Sequence, residues 1–298
     1  MRLLLTGATG LLGAGVIARL PDGWEVVGAQ RGDGAALAGL PGVSTARCDV
    51  GDLDAVRRLL DASRFDAVLH AAGEGRVDEV ERDPGAARPS LVDAAVLLAH
   101  ETAARGLRFV HVSTNAVFGG DRPPYDEGDE PDPVNAYGRL KAEADRRVLA
   151  ANPEAGILRP ILMFGWPPPG ARANPVTMVL DALRAGRPVR LVDDVRENPV
   201  LNLQVGDAAW RMLAARVRGV VHVAGGTRID RYGLGLAVAE RFGLDAGLIE
   251  RVGSDAFPAL APRPAETTFR TARMEDELGV PPLLLDDALD LMRSTAPA

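Results

Sequence analysis

Tyr137 and Lys141 lie four residues apart in a segment, 136–150, that has the periodicity of an amphipathic helix. Residues at this spacing share one helix face. An ammonium group fixed near a phenol stabilises the phenolate and lowers its pKa from about 10, which suits a proton donor to a developing alkoxide. Thr114, at the end of a predicted strand, could give a second hydrogen bond to the same oxygen. The pattern predicts proton transfer at a carbonyl group, although such a pair alone also occurs on solvated helices.

A glycine-rich segment, Thr6-Gly7-Ala8-Thr9-Gly10-Leu11-Leu12-Gly13, follows the first predicted strand and opens the first predicted helix. Glycines here permit a tight turn, the approach of a pyrophosphate and close helix packing, and the first helical N–H groups face the phosphates. A glycine-rich turn without a ligand is the alternative, which the position at the first strand–helix junction disfavours. The residues expected to contact a dinucleotide are Gly7, Thr9, Gly10, Leu11, Leu12 and Gly13.

The residues after the second and third apolar runs bear on which dinucleotide is bound. The second run ends at Gln30-Arg31, where an acidic residue would favour NAD. Arg31 instead suits a 2′-phosphate and predicts NADP(H), unless it is an ordinary exposed arginine. After the third run, Asp49 could accept a hydrogen bond from an adenine amino group with Val50 beside it. Asp49 could equally be the N-cap of the helix predicted at 52–62.

The first half of the chain alternates short apolar runs with amphipathic segments, which predicts an α/β fold with a doubly wound parallel (Rossmann) sheet. Its ligand should lie at the carboxyl ends of the strands. The predicted strands are Leu3 to Thr6, Trp24 to Ala29, Ala67 to His70, Phe109 to Ser113 and Gly156 to Arg159. The helices predicted between them are 11–20, 52–62, 90–105 and 136–150.

The pattern changes at Gly165-Trp166-Pro167-Pro168-Pro169-Gly170, which cannot form regular structure. We expect residues 1–164 to form an NADP-binding Rossmann domain, rejoined by part of 196–224, and residues 165–298 to form a smaller substrate-binding lobe. Predicted elements beyond the break are helices near 175–185, 207–216, 232–242 and 285–294, and apolar runs at 188–192 and 219–224.

Composition excludes several classes of protein. The net charge of -7 gives no basic excess for nucleic acid. The single Cys48 cannot form an internal disulfide, so we expect the protein to lie in a reducing cytoplasm. Four histidines with one cysteine show no zinc-ligand spacing, so we expect no metal site. No segment has the apolar length of a membrane span, which predicts a soluble protein without a membrane partner.

Taken together, these motifs resemble the extended short-chain dehydrogenase/reductases, and most closely the dTDP-4-dehydrorhamnose reductase-like branch. The resemblance covers most of the chain. Besides the glycine-rich segment, its matching motifs are Cys48-Asp49-Val50, Val68-Leu69-His70-Ala71-Ala72-Gly73, Val110-His111-Val112-Ser113-Thr114, Tyr125-Asp126-Glu127, Tyr137-Gly138-Arg139-Leu140-Lys141, Leu158-Arg159-Pro160 and Arg263-Pro264.

The resemblance implies hydride transfer between NADP(H) and a keto sugar attached to a nucleotide, with a catalytic triad of Thr114, Tyr137 and Lys141. In this reading Lys141 also holds the nicotinamide ribose. Further residues that it places beside the cofactor are Ala71, Ala72, Gly73 and Pro160. Those that it places beside the substrate are Thr114, Asn115, Met163 and Arg263.

Several positions depart from the family pattern. Asp93 stands where the superfamily usually has an asparagine that helps a water chain reach the lysine. Ile161 to Phe164 lacks the tryptophan usual in rhamnose-pathway members, so the sugar pocket differs. No glutamate lies between Leu12 and Val16, where some members contribute to a metal-linked dimer contact, and we expect no magnesium requirement; a homodimer stays open.

Two alternatives to a reductase remain at this point. A nucleotide-sugar epimerase is compatible with the motifs, whereas Asn115-Ala116 after Thr114 disfavours a dehydratase, which normally has an acidic pair there. The same branch also resembles the regulatory beta subunit of methionine adenosyltransferase, which binds NADP and serves as a partner protein. An intact triad does not by itself prove turnover.

Overall fold

A computed structural model describes residues 1–32, 35–257 and 259–297. Its strands, in chain order, are β1 (Arg2–Thr6), β2 (Glu25–Gln30), β3 (Val43–Arg47), β4 (Ala67–His70), β5 (Arg108–Val112), β6 (Gly156–Pro160), β7 (Met163–Phe164), β8 (Val189–Val192), β9 (Arg196–Glu197), β10 (Val200–Leu201), β11 (Gly219–Val223), β12 (Ile229–Asp230) and β13 (Ile249–Val252).

The α-helices lie between and after these strands. They are α1 (Leu11–Ala18), α2 (Leu53–Ala62), α3 (Val77–Arg82), α4 (Pro84–Arg88), α5 (Ala94–Arg105), α6 (Ala136–Ala151), α7 (Pro175–Arg184), α8 (Asn202–Ala215), α9 (Arg231–Phe242), α10 (Ala272–Asp276) and α11 (Leu285–Ser294). A π-helical turn, Pro89–Asp93, joins α4 to α5.

A seven-stranded parallel sheet in the order β11-β6-β5-β4-β1-β2-β3 forms the centre of the molecule. The chain runs outward from β1 in one direction through β2 and β3, then crosses to β4 and runs outward in the other. This reversal beside β1 creates a crevice at the carboxyl ends of the strands. The predicted doubly wound α/β fold is therefore confirmed.

Both faces of the sheet are buried, as the apolar strand sequences require. One face packs Leu3, Leu5 and Val110 against α1 and α8, and the other packs Leu4, Val68 and Phe109 against α5 and α6. Segment 202–223 returns to this layer structure, since α8 packs on α1 and β11 pairs with β6. Helix α8 begins at Asn202, whereas the sequence predicted a start near 207. The prediction missed the first turn because buried Asn202 and Gln204 interrupt its apolar pattern.

A smaller lobe is built around a separate apolar cluster that includes Phe164, Leu180, Val238 and Leu289. It consists mainly of α7, α9 and α11 with two short strand pairs, β8 with β13 and β9 with β12. The predicted irregular segment 165–170 leads into this lobe and contains no helix or strand. In the described parts of the chain, no helix combines the length and apolarity needed to cross a bilayer.

Candidate active site

A cleft of about 630 Å³ opens where β4, β5 and β6 end, between the sheet and the smaller lobe. Residues of both parts line it. The predicted site residues that line this cleft are Leu12, Ala71, Ala72, Gly73, Thr114, Asn115, Tyr137, Lys141, Pro160, Met163 and Arg263. The predicted residues outside its lining are Gly7, Thr9, Gly10, Leu11, Gly13, Arg31, Asp49 and Val50, which follow β1, β2 and β3.

The glycine-rich segment forms a tight turn between β1 and α1. Gly7 has a φ of +73°, and a Cβ there would lie 2.7 Å from the Ala71 carbonyl oxygen, so the turn needs glycine. Helix α1 begins at Leu11, and its N-cap residue, Gly10, has no side chain that could accept hydrogen bonds from the first helical N–H groups. Because the first N–H groups of a helix lack intrahelical partners, they can hold phosphate oxygens here.

Arg31 and Asp49 lie beyond the ends of β2 and β3. Arg31 is exposed, and its charge contributes to a lowered pKa of Glu74, whose main cause is the hydrogen bond with Arg76. Asp49 accepts a hydrogen bond from Gly51 N at 2.9 Å. The cap of α2 is Asp52, which accepts from Asp54 N and Ala55 N, so the alternative role of Asp49 as that cap is wrong.

Tyr137 lies in the first turn of α6, beside Thr114. Asn135 caps this helix by accepting a hydrogen bond from Gly138 N at 2.8 Å. A Cβ on Gly138 would come within 2.0 Å of the Ala116 carbonyl oxygen, so glycine lets the loop after β5 lie against the start of α6. This close approach brings the Thr114 side chain next to the Tyr137 phenol.

The Tyr137 phenol holds its proton more tightly than a solvated phenol. Burial raises the pKa of Tyr137 to about 12, the interaction with the Thr114 side chain lowers it, and the charges of Asp145 and Glu74 raise it further. The expected lowering of this pKa by Lys141 is thus wrong for the protein alone. The Lys141 ammonium has its hydrogen-bond partners on β5 and leaves the phenol without that stabilisation.

Lys141 is the only lysine in a chain whose other cationic side chains are all arginine. It is buried, and its Nζ donates to Val112 O at 2.6 Å and contacts His111 Nε2 at 3.2 Å. Burial lowers the pKa of Lys141 to about 8. Arginine stays charged in proteins, whereas a buried lysine can exchange a proton near neutral pH, which gives a chemical reason for lysine at this position.

Sequence reasoning missed a group of buried polar residues beneath the cleft. They lie on the α6 side of the sheet: His70, His111, Asp145, Arg159 and His222. A polar residue inside an otherwise apolar parallel strand was the available signal, because such strands are normally apolar throughout. Three of the chain's four histidines occupy such positions.

Asp93, expected to replace an asparagine near the lysine or to have no such role, lies away from Lys141. Its charged contacts are with Arg88 Nε at 3.7 Å and Arg147 NH1 at 4.0 Å. The polar side chain that does contact the Lys141 amine is His111.

The wall of the cleft opposite Thr114 carries a second group that sequence analysis did not identify. Glu197 accepts from Asn115 Nδ2 at 2.9 Å and from Arg231 at 2.5 Å, and Asn115 also donates to Thr267 Oγ1 at 2.7 Å.

Arg263 pairs with Asp78 at 3.0 Å, so binding of a substrate phosphate by Arg263 would require exchange of this partner. Within the described residues, no cluster of metal-ligating side chains is present.

Comparison with known proteins gives a match to one family model. The model described as the RmlD substrate binding domain matches residues 1–295. A curated relative, the probable low-salt glycan biosynthesis reductase Agl14 of Haloferax volcanii, is 32% identical over 297 residues, which cover 97% of this chain and 96% of that protein. The methionine adenosyltransferase 2 subunit beta of Danio rerio is 30% identical over 286 residues, covering 92% of this chain and 84% of the relative.

A solved structure shows the same fold over the full length. It is the dTDP-4-dehydrorhamnose reductase of Bacillus anthracis in complex with NADP, which superposes with a TM-score of 0.86 at 21% identity and covers 99% of both chains.

Proposed function

We propose, from the premise that this chain belongs to the RmlD substrate binding domain family, that it is an NADPH-dependent reductase of a nucleotide-activated keto-deoxysugar. The family match confirms the resemblance that the glycine-rich segment and the tyrosine–lysine pair indicated. The observation that carries the proposal is that Thr114, Tyr137 and Lys141 line one cleft at the carboxyl edge of the sheet. A phenol, a hydroxyl and an amine at the topological switch point are the groups that carbonyl reduction needs.

The glycine-rich turn and Arg31 support NADP(H) as the cofactor. The uncapped first turn of α1 suits the pyrophosphate, and exposed Arg31 follows β2 where a 2′-phosphate would need a cation. The solved Bacillus anthracis relative holds NADP in the same fold. Lys141 would hydrogen bond the nicotinamide ribose, and Asp49 and Val50 would lie near the adenine.

Bound NADPH would supply the hydride that is added to the carbonyl carbon. Tyr137 would donate its phenolic proton to the carbonyl oxygen as negative charge develops there, and the Thr114 hydroxyl would orient that oxygen. The raised pKa of Tyr137 suits a reductase, because the phenol stays protonated until a stronger base, the alkoxide, forms. With the cofactor bound, the positive charge of the buried Lys141 ammonium would stabilise the phenolate that remains.

A non-catalytic regulatory subunit is the second candidate, and the likeness to methionine adenosyltransferase 2 subunit beta favours it. The environment of Lys141 argues against this candidate. The one lysine of this chain is buried in the cleft near Tyr137 and has a pKa lowered to about 8. A subunit that only binds NADP has no evident need for an amine that can exchange a proton.

Incubation of the purified chain with NADPH and a panel of dTDP- and UDP-linked keto sugars tests the proposal. A reductase consumes NADPH, seen as falling absorbance, with one sugar reduced for each NADPH oxidised. An epimerase converts the sugar with no net consumption of NADPH. A chain that binds NADPH, reduces no keto sugar and co-purifies with a methionine adenosyltransferase catalytic subunit would contradict the reductase and support the regulatory role.

A further inference from the structure

Polar side chains form a row across the α6 face of the central sheet. Thr6 is in register with His70, His70 with His111, and Arg159 with His222. The Thr6 hydroxyl lies 2.7 Å from His70 Nδ1, and the rings of His70 and His111 stack at 5.5 Å between centroids. The row therefore reaches from the end of β1, next to the glycine-rich turn, to β11 at the far edge of the sheet.

The Lys141 amine meets this row at His111. An ammonium group has only hydrogens to donate, so His111 Nε2, at 3.2 Å, must be the acceptor and its hydrogen must be on Nδ1. Burial and the positive charge of Lys141 both lower the pKa of His111, which keeps its ring neutral and able to accept. The second acceptor of the ammonium is the backbone oxygen of Val112.

Asp145, one helical turn after Lys141, supplies the negative charge of the group. Its Oδ2 accepts from Ser113 Oγ at 2.7 Å and from Arg159 NH2 at 2.9 Å, and its Oδ1 lies 3.8 Å from His111 Nε2. Asp145 Oδ1 and His111 Nδ1 have no hydrogen-bond partner among the described residues. One carboxylate thus stands between two buried cations, Lys141 and Arg159.

We infer that His111 and Asp145 are positioning residues for the reaction: His111 accepts the Lys141 ammonium and Asp145 provides its countercharge, so that the amine stays charged and fixed at the end of β5. This inference rests on the proposed function. The side chain that contacts the Lys141 amine is then His111, whereas Asp93 pairs with arginines elsewhere. A buried ammonium without an acceptor or countercharge would lose its proton or leave this position.

The electrostatic surroundings of Lys141 give the direction of the effect. Burial lowers the pKa of Lys141, the charge of Asp145 raises it and the charge of Arg159 lowers it. Loss of the Asp145 charge or of the His111 acceptor must therefore lower it further. The titratable and charged groups that face the amine are His70 on β4, His111 on β5, Arg159 on β6 and Asp145 on α6.

The single lysine makes the measurement direct. A chain labelled with lysine carrying ¹³C at the ε carbon gives one side-chain methylene signal, that of Lys141, which can be titrated by NMR without assignment. We expect His111→Phe to lower the titration midpoint by about one pH unit, and His111→Gln, which keeps an acceptor, to return most of that shift. The alkaline limb of the pH profile of kcat/KM for keto-sugar reduction should move by the same amount.

His222→Phe is the matched control. His222 lies in the same row and is equally buried, but its ring contacts Arg159 NH1 at 3.1 Å and not Lys141. We expect this variant to leave the midpoint unchanged. Asp145→Asn should lower the midpoint as His111→Phe does, but it also leaves Arg159 without its carboxylate and can fail to fold, so the two His111 variants decide the matter.

The outcomes separate this inference from the proposed function. A midpoint that is the same in His111→Phe as in the unmodified chain overturns the positioning role, whatever the activity. If the unmodified chain reduces no keto sugar but the midpoint still moves in His111→Phe, the missing activity overturns the reductase. The shifted midpoint then still supports His111 as the acceptor of the Lys141 ammonium.

Discussion

The Asn115 side-chain amide donates a hydrogen bond to Glu197 Oε1 at 2.9 Å, and this bond joins the loop after β5 to the smaller lobe. Asn115 Oδ1 in turn accepts from the Thr114 hydroxyl at 3.3 Å. The proposed substrate-orienting hydroxyl is therefore connected to a carboxylate on the opposite wall of the cleft. An amide at position 115 can donate to Glu197, which a carboxylate at that position could not do.

Asn115→Asp should weaken this contact between the lobes. It places two carboxylates at hydrogen-bonding distance without a proton between them, and we expect a loss of about 1 to 3 kcal/mol in stability and a raised KM. Thermal unfolding and initial rates measure the two effects. The double variant Asn115→Asp with Glu197→Gln restores a donor opposite an acceptor and should recover part of both, whereas simple addition of the two single effects would argue against a direct interaction.

Tyr137→Phe should reduce the rate of keto-sugar reduction by about 10²- to 10⁴-fold, because the phenyl ring has no proton to donate to the alkoxide. Affinity for NADPH, measured by fluorescence quenching, should be nearly unchanged and serves as the control for folding. Turnover at the unmodified rate would show that another group protonates the product.

Gly138→Ala should destabilise the site from the start of α6. A Cβ there would meet the Ala116 carbonyl oxygen at 2.0 Å, so the loop that carries Thr114 must move away from Tyr137. We expect a loss of about 1 to 3 kcal/mol in denaturant unfolding together with a lower kcat. Gly128→Ala, at a position with open space around it, is the matched control and should change neither quantity.

Arg31→Asp should shift cofactor preference from NADPH toward NADH. Loss of a charge-assisted contact to a 2′-phosphate corresponds to about a 10- to 100-fold weaker binding of NADPH, and a carboxylate can accept from the ribose hydroxyls of NADH. Dissociation constants for both nucleotides measure the ratio. Arg146→Asp, which makes the same charge change at an exposed position of α6, controls for net charge. An unchanged ratio in Arg31→Asp would remove the argument for NADPH from this residue.

Stability should fall as the pH decreases below about 6.5. Burial is the main cause that lowers the pKa of His70 to about 3 and that of His222 to about 2, and it also lowers that of His111. The unfolded chain therefore binds protons that the folded chain does not bind. Each such histidine lowers the free energy of unfolding by about 1.4 kcal/mol per pH unit between its pKa in the unfolded chain and its pKa in the folded chain. Urea unfolding at several pH values measures the slope.

Two histidine variants identify the source of that slope. His70→Gln should reduce the slope of stability against pH, because it removes one imidazole that is protonated only in the unfolded chain. The glutamine side chain can still accept a hydrogen bond from Thr6. His100→Gln, which replaces the exposed histidine, should leave the slope unchanged. Equal slopes in the unmodified chain and in His70→Gln would contradict the linkage to this row.

The strand and helix pattern of the first half could be read from the sequence because parallel strands are short apolar runs and their helices have a clear polar face. Ala67–His70 and the start of α6 at Ala136 agree with the structure to the residue. Buried Asn202 and Gln204 hid the first turn of α8, and the π-helical turn at Pro89–Asp93 stands where a continuous helix was expected.

The candidate site was accessible from sequence only where its residues are local. Tyr137 and Lys141 share a helix face and the glycine turn is continuous in sequence, so spacing alone identified these groups and the direction of their chemistry. The tertiary structure decided the proton affinities and the partners: it buried part of Tyr137, placed His111 and Asp145 around Lys141, and brought Glu197 opposite Asn115. Burial and charge pairing arise between segments far apart in the chain, and their energies depend on distances that no local pattern contains.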